Sequence, residues 1–212
     1  MRIAAVTITL TMALEPPQGA QRFLIARHGE TNFNAEGRIQ GTLDTSVLTA
    51  RGVRQAEELG CYIADEELAR IAKVWVSPMT RARQTLDIVL KITGQEDVPV
   101  NSNWRLNERM YGGLTGLNKK ETVAKYGEAQ VKQWRRSYST PPPPIDKSSE
   151  YWPGNDNKYA HIPDDEIPLS ECLKDTVDRC LPYWKSDIMP ALQRGKTVLV
   201  AAHGNSIRGM LK

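Results

Sequence analysis

Cysteine is scarce in this chain. Cys61, Cys172 and Cys180 are scattered over 212 residues with no CxxC pair. An odd, widely spaced set argues against a disulfide framework and a cysteine-based zinc site, and predicts reduced thiols and a cytoplasmic address. Excess charge is also lacking: 28 Lys and Arg stand against 25 Asp and Glu, a net charge of +3. That balance does not suit nucleic-acid binding, whereas a local basic pocket for an anionic substrate remains compatible with it. No run is long enough to cross a membrane. The apolar stretch in residues 1–20 is short and has no clear cleavage site, so residues 1–21 read as a leader, either a disordered tail or a targeting segment. P-loop, dinucleotide fingerprint, metal-ligand cluster and internal repeats are all missing. Histidine is as rare as cysteine, with three residues, His28, His161 and His203. Two of these close an apolar run and precede glycine: "FLIARHG" (23–29) and "TVLVAAHGN" (197–205).

The remaining pattern alternates strands and helices. Short apolar runs at 22–27, 71–78 and 196–204 read as buried strands. Helical periodicity follows the first over 48–67, with Val53, Ala56, Leu59, Ile63 and Ala64 on one face, and the second over 79–94, ending at Gly94. "NSIRGMLK" begins a further helix after the third. This order predicts an α/β fold of three layers, a mostly parallel central sheet with helices on both faces. Between about 105 and 168 the alternation stops. One inserted helix over 119–138 and a long proline-rich loop, with "PPPP" at 141–144, are expected there.

Ligands of open α/β sheets bind beyond the carboxyl ends of the strands. Those ends carry Arg27-His28-Gly29, then Ser77-Pro78 shortly before Arg81, then His203-Gly204-Asn205. Two imidazoles and at least two guanidiniums would gather at one edge. Glycine after each histidine would let backbone approach a ligand, and the helix after His203 would direct N–H groups at an anion. This inventory suits phosphoryl transfer. An imidazole is a competent nucleophile, arginines and a second, protonated imidazole fit the charge spread over the phosphoryl oxygens, and a carboxyl group must protonate the leaving oxygen. Arg51, Arg54 and Arg83 read as solvated helix faces, His161 has no evident partner, and Trp134 reads as packing.

The blocks "LIARHGETNFN" (24–34), "SPMTRARQT" (77–85) and "AAHGNSIR" (201–208), in this order, resemble the histidine phosphatase superfamily. Within it, "LNERMYGGLTGLNKKET" (106–122), "YGEAQVKQWRR" (126–136) and "IPLSECLKDTVDRCLPYW" (167–184) resemble the cofactor-dependent phosphoglycerate mutases. The resemblance runs from about residue 22 to the last residue. It implies a single domain over 22–212 that interconverts 3- and 2-phosphoglycerate in glycolysis and gluconeogenesis, primed by 2,3-bisphosphoglycerate and without a metal. By position it implies His28 as phospho-acceptor, Glu108 as general acid and base, and Arg27, Arg81 and His203 around the phosphoryl group. Asn34, Gln40, Gly41, Gly204 and Asn205 would assist there. Tyr111, Lys119, Arg135 and Arg136 would bind the substrate's carboxylate and phosphate. Small phosphorylated three-carbon acids are the implied ligands, with no nucleic-acid or membrane partner, and a homodimer or homotetramer is the implied assembly. A mutase must exclude water from its phosphoenzyme, a task that the inserted helix and loop could perform.

Two departures accompany the resemblance. Gln40 in "GRIQGTLDTSVLT" (37–49) stands where the mutases usually carry threonine, and "RIQG" and "SPMTRARQT" lean towards the phosphatase branch. A hybrid pocket would hydrolyse its phosphoenzyme more readily. The sequence also stops early in the helix after His203, where the family continues, so the domain is expected to be C-terminally incomplete. The competing readings are a phosphatase using the same histidine on another phosphomonoester, and a truncated, inactive relative acting as a binding protein.

Overall fold

Strands covered on both faces are apolar at successive positions rather than at alternate ones, and the three predicted strands show that pattern. A computed structural model describes residues 23–65 and 70–211. The leader assigned to residues 1–21 lies outside the described residues. Strand β1 is Phe23–Arg27, α1 Asn32–Ala35, α2 Ala50–Asp65, β2 Lys73–Val76, α3 Thr80–Ile92 and β3 Val100–Ser102. Helices α4 (Lys119–Tyr126), α5 (Glu128–Arg136), α6 (Leu173–Tyr183) and α7 (Met189–Gln193) precede β4 (Val198–Ala202) and α8 (Gly204–Met210). The sheet is four-stranded and parallel throughout, in the order β1-β4-β2-β3.

Side chains alternate between two cores, as a pleated strand requires. Leu24, Ala26, Val74, Val76, Leu199 and Ala201 face α2 and α3 through Leu59, Ile63, Leu86 and Val89. Ile25, Trp75, Val198, Val200 and Ala202 face the other layer, with Tyr183, Ile188, Ala191 and Ile207. The expected α/β architecture with helices on both faces is therefore present. Among the described residues no helix is long and apolar enough to cross a membrane, and all three cysteines are free thiols.

Local expectations are corrected at four points. Ala64 is exposed rather than part of the buried face of α2. The single helix expected over 119–138 is two helices, broken at Gly127, whose φ of 81° ends α4 and starts α5. Edge-to-face packing of Tyr126 on Trp134, centroids 5.3 Å apart, then fixes the corner. Strand β3 was not anticipated, since three residues carry no readable period. The proline-rich segment is not structureless. It forms short 3-10 turns at Pro153–Asn155 and Asn157–Tyr159. Tyr159, Ile162 and Ile167 close a small cluster of their own against Trp104. Asn107 donates to the Tyr159 hydroxyl at 2.8 Å, and Lys158 pairs with Asp44, which also accepts from the Thr80 N–H at the start of α3.

Candidate active site

Register brings the motif residues together. In the β1–β4 ladder Arg27 lies opposite Ala202, so the next residues, His28 and His203, leave the sheet side by side. Their ring centroids are 5.1 Å apart. On the far side of β4, Ser77 donates from its backbone to Ala201, and α3 begins three residues later, with Arg81 in its first turn.

His28 is buried, and its Nδ1 lies 2.8 Å from the Gly29 carbonyl oxygen. A carbonyl can only accept, so Nδ1 carries the proton and Nε2 carries the lone pair. Burial, reinforced by the charges of Arg81 and Arg27, holds the His28 pKa well below its ordinary value of 6.5. His203 is fully buried, and neither ring nitrogen has a hydrogen-bond partner among the described residues. Burial first, then Arg81, His28 and Arg27, depresses its pKa in the same way. In the ligand-free protein, burial and the neighbouring guanidiniums therefore disfavour charge on both rings, and a protonated second imidazole would need a bound anion to supply the balancing charge.

This pair sets a pH dependence of stability. As pH falls below 6.5, the unfolded chain takes up protons at both histidines while the folded chain does not. Stability therefore declines between 6.5 and the lower folded values, by up to about 1.4 kcal/mol per pH unit for each histidine, and this source is flat above 6.5. Thermal denaturation of the ligand-free protein between pH 8 and 5.5 should show that decline, and His203→Asn should roughly halve its slope. A Tm unchanged over this range would refute the buried neutral pair.

Arg81 is fully buried. Its Nη1 donates to Leu43 O at 2.9 Å and its Nη2 to Gly41 O at 2.8 Å. Burial brings its pKa down to about 10, against the favourable charges of Glu108 and Asp44, so it stays a cation. Among the described residues the Nε atoms of Arg81 and Arg27 are buried without partners, an arrangement that oxygen acceptors of a phosphoryl group would satisfy. Gln40 Oε1 accepts from Ser46 Oγ at 2.6 Å and lies 3.0 Å from Thr31 Oγ1. Asn34 Oδ1 accepts from the Thr31 N–H. Both amides consequently have their NH2 groups left as donors.

Glu108 follows the short turn at Trp104–Leu106. Its Oε1 accepts from Arg109 N at 2.7 Å, Asn205 Nδ2 at 2.8 Å and Asn205 N at 3.3 Å. One N–H at the start of α8, expected to face an anion from outside, thus faces a carboxylate of the chain itself. Oε2 lies on the side of Gly204, where an added Cβ would sit 4.0 Å from it and 3.8 Å from Arg27 Nε. The glycines after the two histidines consequently differ. Gly204 opens space between Glu108 and Arg27, whereas Gly29 faces the backbone of Gly52 in α2. The expectation that Gly29 admits a ligand is corrected to a chain-on-chain approach.

Arg109 is buried and does not pair with Glu108. It donates to Arg135 O at 2.7 Å, at the carboxyl end of α5, and stacks 4.5 Å over Tyr111. This anchors the helix end that presents Arg135 and Arg136. Lys119 is half-buried beside them, and its pKa is lowered by burial and by Arg135, Arg27 and Arg136. Among the described residues Arg27, Lys119, Arg135, Arg136 and Arg208 form no salt bridge.

One cavity of about 250 Å³ collects nearly all of these groups, a size suited to a small ligand. Every site residue implied by the resemblance lines it except His203, which is fully buried. Arg38, Ile39 and Arg208 also line it and were not singled out. For Arg208 a signal existed, since it stands four residues after Gly204 on the same face of α8. Arg38 gave none, because its Nε bond to Gly116 O spans 78 positions. Arg51, Arg54, Arg83 and His161 are exposed, as expected. Among the described residues no three of His, Cys, Asp or Glu converge as a metal site.

Residues 23–152 match the model of the histidine phosphatase superfamily, branch 1, and the chain belongs to that superfamily. Solved structures share the fold. A mycobacterial glucosyl-3-phosphoglycerate phosphatase is 22% identical with a TM-score of 0.66, over 91% of this chain and 80% of its own. A putative alpha-ribazole-5'-P phosphatase from Escherichia coli is 21% identical with a TM-score of 0.63, over 89% and 76%. The Bacillus stearothermophilus protein YhfR is 24% identical with a TM-score of 0.65, over 89% and 77%.

Proposed function

We propose that this member of the histidine phosphatase superfamily hydrolyses a small phosphomonoester bearing a second anionic group, through a phosphohistidine at His28. The observation that carries this reading is the tautomer of His28. With Nδ1–H committed to Gly29 O, the unprotonated Nε2 is left to attack, beside two guanidinium N–H groups that lack acceptors among the described residues. The Nε2 lone pair forms the N–P bond as the P–O bond to the leaving oxygen breaks, and protonated Glu108 gives that oxygen its proton. Arg27, Arg81 and the Asn34 and Gln40 amides bear on the phosphoryl oxygens, where charge accumulates. Water then attacks phosphorus, Glu108 takes its proton, and the N–P bond pair returns to Nε2. Lys119, Arg135, Arg136 and Arg208 are cations on the same cavity without acidic partners among the described residues, which supports a substrate with a second anion such as a carboxylate.

Hydrolysis is favoured by the amide of Gln40 at the phosphoryl end and by two of the structural neighbours, a glucosyl-3-phosphoglycerate phosphatase and a putative alpha-ribazole-5'-P phosphatase. The crowding of Lys119 by Arg135 and Arg136 favours a second reading, a 2,3-bisphosphoglycerate-primed mutase, since a bisphosphate intermediate needs strong retention while it turns over. The test supplies 3-phosphoglycerate with and without 2,3-bisphosphoglycerate and follows 2-phosphoglycerate and free phosphate together. Phosphate in excess of isomer is expected. Isomer without matching phosphate would transfer the assignment to the mutase, and failure of a folded sample to form acid-labile, base-stable protein phosphate would refute both.

A further inference from the structure

We infer that Arg179, paired with Glu171, is the positioning residue that aims Glu108 at the leaving oxygen; this rests on the proposed role of Glu108 as proton donor. Glu108 lies on a segment outside any strand or long helix, so no ladder of backbone bonds holds it. Its fixity comes from α6 instead. Arg179 grips Glu171 with both ends of its fork, Nε to Oε1 at 2.6 Å and Nη2 to Oε2 at 2.9 Å. The same guanidinium reaches the site segment, Nη1 donating to Arg105 O at 2.8 Å and Nη2 to Asn107 O at 3.2 Å. Glu171 completes the bracket by accepting from Met110 N at 2.9 Å, while its own N–H donates to Met110 O at 2.8 Å. Glu108 is thus clamped on both sides, at 105, 107 and 110, by one ion pair.

The pair is almost inaccessible, with side chains 6% and 2% exposed. Burial disfavours the Arg179 charge, but the adjoining carboxylate more than restores it. A buried ion pair is weak evidence for stability alone, because apolar residues of like volume commonly replace one without loss. Here the planar fork does what an apolar group cannot. It serves two carboxylate oxygens and the carbonyls of Trp104, Arg105, Asn107 and Glu108 at once, which is the geometry peculiar to arginine. Arg109 N and Asn205 then fix the rotation of the Glu108 carboxylate within the frame so formed.

A positioning role predicts a loss that depends on the leaving group. An alkoxide must receive a proton as it departs, whereas p-nitrophenolate leaves without one. Misplacing Glu108 should therefore impair hydrolysis of 3-phosphoglycerate far more than that of p-nitrophenyl phosphate, by up to the roughly 10²-fold typical of a lost general acid. The experiment compares kcat/KM on both substrates for the full chain, Arg179→Lys and Glu108→Gln. Arg179→Lys keeps a charge beside Glu171 but lacks the fork to the carbonyls. The expected result is the same skew in both variants, at least tenfold greater loss on the alkyl ester. If Arg179→Lys does not fold, as judged by circular dichroism, Glu171→Gln is read against the same criterion. A skew in Glu108→Gln with an equal loss on both esters in the clamp variant, or with no loss, overturns the positioning role alone. Absence of a skew in Glu108→Gln overturns the proton-donor reading itself, and this inference with it.

Discussion

His28→Asn is expected to abolish acid-labile protein-bound phosphate and to lower phosphate release by roughly 10⁴-fold or more, the scale on which loss of a nucleophile is felt. Asparagine suits this experiment because its amide NH2 can occupy the place of Nδ1–H and keep the 2.8 Å bond to Gly29 O. What disappears is the Nε2 lone pair. The ring it replaces is neutral in the folded protein, so the change removes no charge from between Arg27 and Arg81. Binding of phosphate or vanadate should consequently survive within a few-fold, and the melting temperature at pH 8 should move by only a few degrees. Retention of protein-bound phosphate in this variant would displace the nucleophile to another residue, and the proposed reaction would fall.

Gly52→Ala should be destabilising, although it places alanine inside a helix. Helix propensity alone favours alanine over glycine by about 1 kcal/mol. Against that, the added Cβ would lie 2.0 Å from the Glu30 carbonyl oxygen, a backbone atom that cannot turn aside. The reciprocal change, Gly29→Ala, meets Gly52 O at 2.3 Å. Overpacking of this kind costs roughly 1–3 kcal/mol or more, so a net loss of about 2 kcal/mol is expected for either variant by denaturant unfolding. Activity should fall further than stability explains. The segment after His28 is pinned by Gly29 N to Thr85 Oγ1 at 3.1 Å and Glu30 N to Gln55 Oε1 at 2.8 Å, and its displacement carries the His28 ring with it. A more stable Gly52→Ala protein would mean that the two backbones do not meet.

Much of the architecture is legible in one dimension because its causes are local. Apolar runs at successive positions require strands covered on both faces, and helical periods between them supply the cover. Two of the three runs end in a histidine and a glycine, so their parallel pairing places the two imidazoles at one edge. The residues gathered around them, from Arg27 and Arg81 to Lys119 and Arg136, follow from those blocks and their resemblance to one superfamily.

Other features depend on partners that no local pattern names. The break at Gly127 is invisible in the sequence, since one glycine in a helical period is compatible with a continuous helix. Gly29 needs glycine because Gly52, more than twenty residues away, presses on it. The proline-rich segment is ordered by Lys158 on Asp44 and by Tyr159 on Asn107, pairs that the fold alone creates. Arg179 reads as one more charge on a helix until tertiary packing buries it against Glu171 and turns it on the segment that carries Glu108. The sequence by itself determined three of the sheet's four strands, their two covered faces and the identity of the groups at their ends, because strand period and strand ends are properties of consecutive residues. Only the tertiary structure decided the protonation of those groups and the way Glu108 is held, because desolvation and long-range hydrogen bonds exist only once distant segments meet.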